Sequence, residues 1–142
     1  MGTAYDIDVA AWASEQAALL RTGHLAALDT VNLADEIGAI ARDERRELGR
    51  RVAALVAQLL CWKFQTGNRC EAWRRLIRMQ REAVYCVLEE SPSLNKLRED
   101  RRWLRLVWLD AVGTVAYQLG VALPEELAWP VDTILDGDFW PD

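Results

Sequence analysis

The chain is poor in the residues that build metal and redox sites: it has one histidine and three cysteines among 142 residues. With His24 alone, neither a histidine-rich zinc site nor the paired Glu-x-x-His ligands of a di-iron bundle can be assembled. Cys61, Cys70 and Cys86 are odd in number and lack C-x-x-C spacing, so they are expected to be reduced, mostly buried thiols. A cysteine nucleophile activated by His24 is conceivable, but a small core residue is the commoner role. No phosphate loop, nucleophile elbow or dinucleotide glycine pattern occurs. The acidic C-terminal residues Asp132, Asp136, Asp138 and Asp142 lack the glycine and terminal glutamate spacing of a calcium loop. No metal and no cofactor is therefore expected.

Long apolar runs are also missing. The longest, Val52 to Trp62, is broken by Gln58 and falls short of the roughly 18 residues that a membrane span requires. Residues 1–8 have neither a basic start nor an apolar core, and Met1-Gly2 lacks the downstream serine or threonine of a myristoylation signal. A cytoplasmic location without membrane contact is the expectation. Strand-like alternation, repeats and low-complexity linkers are absent as well.

What is present is helical. About half of the residues are hydrophobic, enough for one domain over residues 1–142 with a real core. A first helix is expected over Val9–Arg21, capped by Asp6 or Asp8, with Val9, Trp12, Leu19 and Leu20 inward and Gly23 just past its end. Leu25–Leu28 is at most one helical turn. A long second helix follows from about Asn32 to Phe64, capped by Asp29 or Thr30. In it Leu33, Ile37, Ile40, Leu48, Leu55, Leu59 and Trp62 form one apolar stripe at about 100° per residue. A stripe that long predicts other helices packed along it in series. Thr66-Gly67-Asn68 is a short turn into a third helix, Cys70 to Glu90, burying Trp73, Ile77, Val84, Val87 and Leu88. Ser91-Pro92 opens a fourth, expected to run unbroken to Leu119 and stop at Gly120. Two short pieces, Leu123–Leu127 and Trp129–Leu135, then lead into a tail anchored by Phe139 and Trp140. The predicted fold class is all-α: an antiparallel bundle of four main helices around one long central helix, with short C-terminal pieces and an aromatic tail.

Charge is segregated along the chain. Residues 1–40 carry a net −5, residues 41–105 a net +7 and residues 106–142 a net −7. An arginine-rich middle with Trp73 invites a nucleic-acid reading, but Trp73 lies on the apolar face and the chain as a whole is acidic. Acidic ends that neutralise a basic middle are the simpler account.

Polar residues on apolar stripes mark the candidate sites. Glu44 and Arg51 interrupt the stripe of the long helix, Gln80 sits on that of the third and Arg101 on that of the fourth. Counting back from the two turns places Arg51, Gln80 and Arg101 at one height, where they and Glu44 could form a polar pocket for a small anion. The competing account is a structural network in which Glu44 and Glu47 neutralise the arginines. Ala34, Gly38, Ala41 and Gly49 form a track of small residues that lets another backbone come close. Two classes of function follow. One is an interaction module that works by contact with an unknown protein partner or by self-association through Ala34 and Gly38. The other is an enzyme or anion receptor with Glu44 as acid or base. The first is favoured.

Six ordered blocks carry a resemblance: Asn32-Leu33-Ala34-Asp35-Glu36-Ile37; Glu44-Arg45-Arg46-Glu47-Leu48; Leu59-Leu60-Cys61-Trp62; Trp73 with Ile77-Arg78-Met79-Gln80-Arg81; Ser91-Pro92-Ser93-Leu94; and Ile134 to Pro141. They resemble the bacterial domain of unknown function family twenty-nine, over Tyr5 to Pro141. The resemblance implies an all-helical cytoplasmic bacterial protein with no assigned activity and no established catalytic residues. Ala128-Trp129-Pro130 departs from the cysteine-proline-aromatic segment usual in that family.

Overall fold

The computed structural model describes residues 2–142, which form α-helices and 3-10 turns with no strand among the described residues. The chain divides into two compact units, the first ending at Asp43 and the second covering Glu44–Asp142.

The first unit holds α1 (Val9–Arg21), a 3-10 turn (Leu25–Ala27) and the start of α2 (Thr30–Phe64). Asp8 caps α1 by accepting from the Ala11 N–H at 3.0 Å, and Gly23, at φ 76°, takes the left-handed conformation that lets the chain turn after the helix. Asp29 caps α2 by accepting from the Asn32 N–H at 3.3 Å. Its other carboxylate oxygen accepts from the Asn32 amide at 2.7 Å and from the Trp12 indole at 3.0 Å, while its own N–H donates to Gln16 at 2.8 Å. Tyr5 stacks edge-on against Trp12 and donates its hydroxyl to Glu36. Trp12 and Gln16 are the buried residues of α1. Val9 and Leu20, expected inward, are exposed, because the partner they would need is this small polar joint and not an apolar wall.

The second unit contains the extended core. From Leu48 onward the inner face of α2 is buried with residues of α3 (Glu71–Glu90), α4 (Arg101–Leu119) and α5 (Val131–Leu135). Leu55, Val56 and Leu59 have no exposed surface. Gly49 faces α4, and a Cβ there would only make ordinary van der Waals contact, 3.5 Å from the Trp103 indole nitrogen. Gln58, which breaks the apolar run, accepts the Trp73 indole N–H at 2.7 Å, and the Pro124 carbonyl accepts that of Trp108 at 2.8 Å.

The fourth helix does not start at Pro92. Residues Pro92–Glu99 form a 3-10 stretch, and Asp100 then caps a separate α4 by accepting from the Trp103 N–H at 3.0 Å. A good capping side chain inside the expected helix ends one segment and begins another. Leu123–Leu127 is not helical, and α5 replaces the longer piece expected from Trp129. Of the cysteines only Cys61 is buried; Cys70 and Cys86 are exposed.

Candidate contact surface and the buried arginine

Most of the apolar stripe of α2 lies in the core, but its beginning does not. At about 100° per residue, Val31, Ala34, Gly38 and Ala41 lie within about 80° of one another, on the line that continues through Leu48, Val52, Leu55 and Leu59. The later four are buried, whereas Val31, Ala34 and Ala41 are exposed and Gly38 is half-buried. Ile37, at the edge of this face, is 64% exposed and Val31 71%. The contacts with α1 at Asp29, and with Tyr5 ahead of α1 at Glu36, fall on the other side of the helix, about half a turn away. The face therefore has a covering layer from Leu48 onward and none from Val31 to Ala41. Of the small-residue track, Gly49 is packed against α4, while at Gly38 a Cβ would meet only the Arg42 guanidinium, at 3.4 Å.

The polar group expected at Glu44, Arg51, Gln80 and Arg101 does not form an enclosed pocket. Glu44, Arg51 and Arg101 are exposed. Arg51 pairs along its own helix with Glu47 at 2.9 Å, and Glu47 also accepts from Arg50 at 2.6 Å. The Arg50 hydrogen bond, with the charges of both arginines, holds the Glu47 carboxyl below its ordinary value. Gln80 is half-buried, and its Oε1 is shielded from solvent without a hydrogen-bond donor. The correction has one cause: periodicity identifies the face on which a charge sits but not whether another helix covers that face there.

The buried guanidinium belongs instead to Arg81, one residue beyond Gln80 and only 3% exposed. Its Nε donates to the Ile134 carbonyl at 2.9 Å, one terminal nitrogen to the Gly137 carbonyl at 3.4 Å and the other to the Phe139 carbonyl. The ring of Trp140 lies 5.1 Å from the same guanidinium, with Arg74 at 5.0 Å and Trp62 at 4.9 Å. Arg69 donates to the Trp62 and Pro141 carbonyls, and Lys63 to that of Asp142. Burial lowers the Arg81 pKa, opposed by the Asp136 carboxylate. Ile134 and Leu135 are fully buried, Phe139 and Trp140 half-buried against the core. Arg81 thus satisfies backbone acceptors that no secondary structure uses, and it fixes the tail.

No group of three or more potential metal ligands clusters among the described residues. His24 is exposed and 2.7 Å from the Thr22 hydroxyl, and burial pushes the Cys61 thiol above its ordinary value, away from thiolate reactivity. A recess of about 390 Å³ is bordered by Lys96, Arg98 and Asp132, but Arg98 already pairs with Asp132 at 2.6 Å and Glu99 stands beside them. Among the described residues no helix is long and apolar enough to cross a membrane. No curated protein and no solved structure matches the chain. The family model described as Domain of unknown function DUF29 matches residues 4–140, nearly the whole length, and the chain belongs to that family.

Proposed function

We propose that the protein is a small helical interaction module that works by contact, and that the uncovered face of α2 in the first unit is its contact surface. One observation carries this reading: a unit whose helix α1 buries a single apolar side chain, Trp12, leaves Val31 on this face and Ile37 at its edge more than three-fifths exposed. Aliphatic surface of this kind costs free energy in water, about 25 cal/mol per Å², and that cost is relieved when a partner covers it. The alternative of an enzyme or anion receptor needs an enclosed polar site, and the exposure of Glu44, Arg51 and Arg101 gives it no support.

Photo-crosslinking in cells tests the proposal. A photoreactive side chain is placed at Ile37, with Tyr117, a fully exposed position on α4, as the control. The reading requires discrete adducts from position 37 and none, or only diffuse labelling, from position 117. Equal patterns from both positions would contradict it.

A further inference from the structure

We infer that the partner of this face is a second copy of the chain, its α2 crossing the first antiparallel about a two-fold axis at the level of Ala39 and Ile40. The inference rests on the contact-surface reading and names its partner. The first argument is that the face continues a seam. The line Val31, Ala34, Gly38, Ala41 keeps the heptad spacing of the buried Leu48, Val52, Leu55 and Leu59, interrupted once by the exposed Arg45, which the axis sets opposite the small Ala34 of the second copy, so it has the geometry that takes a helix elsewhere along the same element.

The second argument is charge. Asp35 and Arg42 sit on one flank of the face, both exposed, and neither has an ion-pair partner among the described residues. In an antiparallel pair like flanks meet, so Asp35 of each copy comes within a turn of Arg42 of the other, twice by symmetry. A parallel pair would set that flank against Thr30 and Ile37 and leave both charges unmatched. The axis also places Gly38 opposite the second copy's Ala41, where the absence of large side chains allows the helices to approach to the short end of the usual 8–10 Å range. The Arg42 guanidinium, now lying over Gly38, has to swing outward to reach the carboxylate.

One helix crossing covers less than the roughly 800 Å² per partner of a standard interface, so the association should be weak, in the ~10 µM range. Sedimentation velocity over a concentration series of the purified full chain is the test, on wild type, Asp35→Arg, Arg42→Asp and the double variant, with circular dichroism to verify folding. Wild type is expected to dimerise. Each single variant should weaken self-association by about tenfold or more through like-charge contact, and the double variant should recover to within a few-fold of wild type. A wild type that stays monomeric, or a double variant no better than the singles, would overturn the antiparallel pairing. The crosslinking at Ile37 separates the two readings: an adduct with another protein keeps the contact surface and rejects self-pairing, while no adduct rejects both.

Discussion

One helix serves two regions that are built differently. In the second unit α2 presents Leu48, Val52, Leu55 and Leu59 to a core shared with α3, α4 and α5, and these side chains are buried from water. In the first unit the same helical line carries Val31, Ala34, Gly38 and Ala41 with nothing over it, and the local structure is held by the polar joint of Trp12, Gln16, Asp29 and Asn32. The difference teaches that helical periodicity states which face is apolar, while burial depends on which other elements arrive. A stripe that begins before its covering layer begins leaves apolar surface in water, and the proposed contact surface rests on that exposure.

The largest effect that should separate the regions is at Arg81. Arg81→Met keeps the apolar stem but leaves the carbonyls of Ile134, Gly137 and Phe139 without their donor, and urea denaturation should show a loss of about 3 to 5 kcal/mol. Arg42→Met, on the exposed part of α2, should stay within about 0.5 kcal/mol by the same measurement. A comparable pair of variants compares apolar side chains. Leu55→Ala should cost about 2 to 5 kcal/mol through the cavity it leaves, and Ile37→Ala less than about 0.5 kcal/mol in the monomer. Similar losses at 37 and 55 would show that the exposed face is already covered.

The smallest effect is acid sensitivity in the first unit. The Asn32 amide, aided by the Asn32 backbone and the Trp12 indole, holds the Asp29 carboxyl below its ordinary 3.8 against the opposing effect of burial. A folded-state pKa below the unfolded one means that the stabilisation is full above about pH 4 and is lost as the pH falls through the lower folded value. Asp29→Asn should therefore flatten the acid limb of the α1 unfolding profile, followed by circular dichroism between about pH 5 and 2, without changing the second unit.

Much of the architecture was legible in the sequence because end signals are local. Asp8 and Gly23 bracket α1, Gly120 at φ 61° stops α4, and the predicted 9–21 span is the observed one. Asp100 is legible in principle, since a capping residue three before Trp103 competes with an unbroken helix, but the apolar stripe runs through it and masks the break. The buried guanidinium was not legible. Arg81 shares the face of helix α3 with Gln80 and is satisfied by backbone carbonyls of residues 134–139, acceptors that no side-chain letter announces and that lie more than fifty positions away. The exposure of Glu44, Arg51 and Arg101 is illegible for the complementary reason: their spacing is that of buried residues, and the sequence carries no local mark of where the covering layer ends.

Amide hydrogen exchange along α2, read residue by residue, tests the central claim most directly. At low protein concentration, protection is expected to be near the global stability from Val52 to Trp62 and to fall markedly over Val31 to Ala41, where few buried contacts oppose local opening. Raising the concentration should increase protection over Val31 to Ala41 and leave the core residues unchanged. Uniform protection along the whole helix at every concentration would contradict the account, because it would mean that the first part of α2 is as fully supported as the second and has no surface waiting for a partner.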